Sequence, residues 1–222
     1  MTRFLAVLCC CIGLSQTAWA ETSPKFSLNG AVLSYDTESL PEGAAREIEV
    51  DDVDALLGLL RDREGITQLR LNSTGGSVWA GNEMARIVQD YELNTLVDGE
   101  CSSSCVTIFL AGQAREMSRG SKIGFHQRSW SADGTQSYYD RWREDEGWDT
   151  PFDFASWVYQ DTQSETWKEL TFMISRGVDP EFAIETKRMR SGIWFPGRRT
   201  LEQAGVLRAG PEDAETRDSW LP

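Results

Sequence analysis

Three short stretches decide how this chain reads: Leu71-Asn72-Ser73-Thr74-Gly75-Gly76-Ser77, Gly99-Glu100-Cys101-Ser102-Ser103-Ser104-Cys105 and Ile123-Gly124-Phe125-His126. Each sits at the end of a strand-like apolar run, and the first two open onto helical patterns. Gly75 and Gly76 carry no Cβ, so the backbone there can approach a substrate and aim N–H groups at a developing negative charge. The serines of the second stretch stand at a helix start, where unpaired N–H groups and the helix dipole stabilise an alkoxide or an oxyanion. The same place is also the commonest home of a capping serine, and spacing alone does not choose among Ser102, Ser103 and Ser104. His126 is the single histidine of the chain, and imidazole is the side chain whose ordinary chemistry suits a general base near neutral pH. Hydroxyl, base and backbone donors in one order are the parts of an acyl-transfer site.

Working outward, Phe26, Leu28 and residues 32–35 flank Asn29-Gly30, a hairpin signal. After a short linker, Asp51 or Asp52 can cap a helix that puts Val53, Leu56, Leu57 and Leu60 on one face, and Gly65 ends it before a strand over 66–72. Ala80, Met84, Ile87, Val88 and Tyr91 follow helical spacing over 78–91, and 95–97 form the next strand. This strand–helix–strand unit predicts a right-handed crossover, parallel strands and catalytic groups at their carboxyl ends. A helix over 103–111 and a strand over 122–125 repeat the pattern.

At the N-terminus, Arg3, an apolar run over 4–14 and Ala18-Trp19-Ala20 read as a secretory signal peptide (1–20) cut after Ala20, leaving 21–222 as one domain in the periplasm or outside the cell. That run is too short to span a bilayer, and no membrane span is expected. Without the leader, 21 basic side chains face 35 acidic ones, a net charge of −14. Such a surface disfavours nucleic acid and anionic lipid. Three of the five cysteines leave with the leader. Cys101 and Cys105 remain in a compartment that permits disulfides, and their spacing at a helix start, one turn apart on one face, suits a bond between them. A zinc site from this pair and His126 lacks a fourth ligand and the usual Cys-x-x-Cys hook, so no metal is expected.

Residues 127–166 differ in character, with Trp130, Trp142, Trp148 and Trp157 among Tyr138, Tyr139, Phe152, Phe154 and Tyr159. This density suits a groove, a subunit interface or a local core. The tail from Arg208 onward is polar and expected to fray.

Four pieces in one order, Leu71-Asn72-Ser73-Thr74-Gly75-Gly76, Gly99-x-x-x-Ser103, Leu110-Ala111-Gly112 and Gly124-Phe125-His126-Gln127, resemble the proteolytic subunit of Clp proteases and its exported relatives within the Clp/crotonase superfamily. The resemblance spans about 50–207. It implies an α/β fold, a Clp/crotonase-like spiral of ββα units with a helical, aromatic-rich insertion in the C-terminal half. It implies Ser103 as nucleophile, His126 as base and the backbone N–H groups of Gly76 and Ser104 as oxyanion hole. Homo-oligomers are implied too, because the family forms rings and the Trp-rich segment lies where its relatives place a subunit-joining helix.

The chain departs from the family at the third triad member. Near the matching position stand Ser191, Gly192, Ile193 and Trp194, with no carboxylate, which leaves Asp179, Glu185 and Glu202 as unranked candidates. The resulting expectation is an exported, ATP-independent serine peptidase acting on a peptide or protein, with no cofactor. The alternative is a binding or assembly module that keeps the fold without catalysis. An acyl-CoA enzyme of the crotonase type is disfavoured by export, since coenzyme A is cytosolic.

Overall fold

The computed structural model describes residues 23–210; the expected signal peptide and the end of the polar tail lie outside them. The hairpin forms as expected: β1 (Phe26–Asn29) pairs antiparallel with β2 (Val32–Asp36), and Gly30 turns the chain with φ 58°. From β2 onward the pairing is parallel, through β3 (Gln68–Ser73) and β4 (Asn94–Ser102) to β5 (Arg115–Met117). β4 is longer than the 95–97 of the sequence reading: its first half pairs with β5, and its second half with β6 (Lys122–Gly124). That extension carries the sheet up to Ser102, directly before Ser103.

α1 (Asp51–Asp62) and α2 (Val78–Asp90) lay their apolar faces on the core, the first through Leu56 and Leu60, the second through Ala80, Met84, Ala85, Ile87 and Val88. Leu33, Tyr35, Leu69, Leu71 and Val97 meet them from the strands, fully buried. Each large apolar side chain so buried contributes about 1.5–3 kcal/mol. Neither Asp51 nor Asp52 caps α1, whose N-cap is Val50 with no side-chain bond; Asp52 is buried and serves a different purpose, described below. Ser77 does cap α2, accepting from the Ala80 N–H at 3.2 Å.

α3 (Ser104–Leu110) is buried along most of its length, and two guanidinium groups hold its far end. Arg176 donates to the carbonyls of Leu110, Ala111 and Gly112, a cation on a helix C-terminus. Arg115, 1% exposed, donates to the carbonyls of Leu110, Arg176, Gly205 and Val206. Burial, then the charges of Arg176 and Arg208, push its pKa down to about 10. Arg208 exchanges two backbone bonds with Arg115, so the tail is anchored at its start rather than frayed.

Residues 127–166 are mostly two helices, α4 (Ala132–Glu146) and the first part of α5 (Pro151–Ser175), the latter opened by a Thr150/Asp153 capping box. Tyr138 stacks on Phe154 and Trp157, and Trp148 packs against both. The aromatics thus make a small local cluster, while Phe152, Tyr159 and Trp167 stay exposed. α6 (Pro180–Glu185) and α7 (Arg198–Gln203) are the last helices of the described residues. No helix of the described residues is long and apolar enough to cross a membrane.

Candidate active site

β4 runs into α3 through a single residue, Ser103, whose backbone stands at φ 56°, ψ −129°. A non-glycine residue there is strained by about 1–3 kcal/mol and persists only where its surroundings enforce it. The enforcing bonds are identifiable. The Ser103 N–H donates to the Gly124 carbonyl at 3.3 Å, and the Ser103 carbonyl accepts from Val106 at 3.0 Å. A disulfide joins Cys101 to Cys105 across the elbow, with Cα atoms 5.4 Å apart and both residues fully buried. The sequence reading placed both cysteines on one helical face; instead Cys101 is the next-to-last residue of β4 and Cys105 the second residue of α3, so the bond brackets Ser103.

The Gly75-Gly76 turn presses against this elbow. A Cβ on Gly75 would lie 2.7 Å from the Ser103 Cβ, and one on Gly81 would lie 2.9 Å from the Ser104 Cβ. Glycine is required at both points because the two chain segments nearly touch. Ser104 Oγ donates to the Gly76 carbonyl at 3.2 Å and ties them together. Among the described residues, neither the Gly76 N–H nor the Ser104 N–H has a protein acceptor. Two backbone donors next to the elbow are therefore left without a protein partner among the described residues.

His126 follows β6 and lines one cleft together with Ser103, Ser104, Val78 and Phe172. Its Nδ1 lies 2.9 Å from the Gln127 carbonyl oxygen. A carbonyl can only accept, so in the neutral ring this contact assigns the proton to Nδ1 and the lone pair to Nε2. The acid side of the site is different. Phe125 exchanges two backbone bonds with Trp194, so the segment expected beside the histidine does run there, carrying Ile193, Trp194 and Phe195 and no carboxylate. None of the three candidate acids reaches the cleft of Ser103. Asp179 caps α6, Glu185 pairs with Arg188 and Arg190, and Glu202 is exposed on α7.

The carboxylate that does line the cleft is Glu169 of α5, ion-paired with Lys187 and, at 3.5 Å, with Arg128. Sequence reasoning missed it, because helical neighbours reveal nothing about which cleft a helix borders.

No family model and no curated protein matches the sequence. A solved structure does match in shape: a point mutant of ClpP1 from Listeria monocytogenes, with a TM-score of 0.51 at 17% identity, covering 72% of this chain and 84% of that chain. The fold is Clp-like. At that identity the likeness speaks for the fold alone, and the case for chemistry rests on the geometry of Ser103, His126, Gly76 and Ser104.

Proposed function

We propose that this Clp-like protein is an exported serine hydrolase, an ATP-independent peptidase, working with Ser103, His126 and a backbone oxyanion hole. The observation that carries the reading is the enforced backbone of Ser103, held at a strand-to-helix elbow between two unpartnered N–H groups and opening on the same cleft as His126. Ser103 Oγ attacks the acyl carbon while His126 Nε2 takes its proton, and the N–H groups of Gly76 and Ser104 hold the oxyanion. Collapse breaks the scissile bond as His126 returns the proton to the leaving amine. Water, deprotonated by His126, then releases the acyl group from Ser103 and restores both residues.

The leader read at 1–20 supports a periplasmic or extracellular location, where a lasting Cys101–Cys105 bond is at home. The Clp-like fold and the exposed aromatics of α5 support self-association, with residues 127–166 read as the aromatic-rich insertion of a ββα spiral. The test is labelling of the mature protein with a fluorophosphonate probe beside Ser103→Ala and His126→Ala variants of equal fold content. Labelling that is lost in both variants is expected. A folded wild-type protein that takes no label under oxidising conditions would overturn catalysis and favour a binding or assembly module.

A further inference from the structure

We infer that Lys25 is a positioning residue for the oxyanion hole, acting through residues 47–49 on the Gly75–Gly76 peptide; this rests on the hydrolase reading above. Lys25 is 6% exposed, and its ammonium uses all three donors: the Glu47 carbonyl at 2.8 Å, Glu49 Oε2 at 2.8 Å and Asp52 Oδ2 at 2.9 Å. Asp52 Oδ2 also accepts from the Tyr35 hydroxyl at 2.7 Å and from the Glu49 N–H at 2.8 Å. Both ends of the Glu47-Ile48-Glu49 segment are therefore fixed by one charge cluster, in which Lys25 and Asp52 are buried and Glu49 is exposed.

Ile48, between those ends, faces the glycine turn. Its N–H donates to the Gly75 carbonyl at 2.9 Å, and its carbonyl accepts from the Ser77 N–H at 2.8 Å. The Gly75 carbonyl and the Gly76 N–H belong to one planar trans peptide and point in opposite directions. Holding the carbonyl toward Ile48 thus turns the Gly76 N–H away from Ile48, where it meets no acceptor among the described residues. A Cβ on Gly76 would stand 2.4 Å from the Ile48 nitrogen, so the two backbones are in direct contact. Without Lys25, the Glu47 carbonyl loses its donor and Asp52 its counter-charge, and the segment that holds the peptide plane is freed.

The experiment uses Lys25→Met, which keeps the aliphatic stem, and Lys25→Arg, which keeps the charge, in the mature protein. Amide hydrogen exchange at Ile48 and Ser77 is read against the amides of α2, together with the kinetics of an activated ester. In Lys25→Met, exchange at Ile48 and Ser77 is expected to rise selectively. Turnover should fall about tenfold to a hundredfold with KM unchanged, because a misdirected donor weakens only the transition state. Lys25→Arg should recover part of both. Unchanged exchange at Ile48 and Ser77 in folded Lys25→Met overturns the inference, whether or not the protein is a hydrolase. Selective exchange with an unreactive wild-type protein would keep the mechanical link and refute the catalytic reading. Selective exchange with unaltered turnover overturns the positioning role.

Discussion

Removing the Cys101–Cys105 bond should separate what it does for stability from what it does for Ser103. The bond closes a loop of five residues, counting both cysteines, for which chain entropy gives about 2 kcal/mol of stabilisation. The Ser103 conformation it brackets carries about 1–3 kcal/mol of strain. With the bracket gone, a relaxed elbow becomes the more stable state by up to that amount, and the reactive conformer falls about fivefold to a hundredfold in population. The bonds from Ser103 to Gly124 and Val106 remain and resist the change, so a loss of about tenfold is expected. The assay is the second-order rate of fluorophosphonate labelling for the oxidised protein and for a Cys101→Ala/Cys105→Ala variant, with urea unfolding of both. Ser103→Gly and Ser103→Ala provide an internal measure of the strain. Glycine should be the more stable of the two despite its intrinsic flexibility, because only glycine is at ease at φ 56°. If the cysteine-free variant loses about 2 kcal/mol but labels within about twofold of the parent, the disulfide is a staple only. If Ser103→Ala proves as stable as Ser103→Gly, the elbow stores no strain and the reasoning fails at its root.

Gly76→Ala should be destabilised by about 1–3 kcal/mol, since its methyl would meet the Ile48 backbone rather than a movable side chain. Labelling of its folded fraction should fall about a hundredfold, and near-normal labelling would remove Gly76 from the oxyanion hole. Arg115→Leu takes the Arg115 donor from the carbonyls of Arg176, Gly205 and Val206, while Leu110 keeps its bond from Arg176; a loss of about 3 kcal/mol in urea unfolding is expected. Burial pushes the Glu100 carboxyl up, but Lys122 and the Ser102 hydroxyl bonded to it more than offset this and lower its pKa. That stabilisation is present above the unfolded carboxyl's pKa and is lost as pH falls through the folded value. Because the pair is partly exposed, Lys122→Met should cost only about 0.5 kcal/mol at about pH 7, a gap that should close near about pH 3 and would count against the account if it persisted.

The parts legible in the sequence were those with a local signature. Asn29-Gly30 marked a hairpin, the spacing of Ala80, Met84, Ile87 and Val88 marked α2, and a glycine pair after a strand marked a close approach. The disulfide was legible from spacing and the expectation of export, although its geometry, strand to helix, was not. β5 escaped because three residues starting with a buried arginine show no alternation. Asp52 was misread as a cap because a carboxylate at a helix start ordinarily is one; its actual partners, Lys25 and Tyr35, lie 27 and 17 residues away. Glu169 and Ile48 were missed for the same reason. Contacts between segments distant in sequence leave no periodic trace, and these are the contacts that set the site's electrostatics and its backbone donors.

On the hydrolase reading, the missing acid separates two roles that a triad combines. In a catalytic triad the acid holds the histidine tautomer and stabilises the imidazolium, and an amide in its place costs about 10⁴ in rate by favouring the wrong tautomer. The Gln127 carbonyl cannot make that error, because it only accepts, and it lies 2.9 Å from Nδ1. What it lacks is a full negative charge. Outright removal of a triad acid, with no amide to mislead the histidine, costs about 3 × 10⁴ in kcat, so that charge is the larger share. On the hydrolase reading, the Gln127 contact keeps the tautomer and leaves the imidazolium without its counter-charge, so slow turnover is expected.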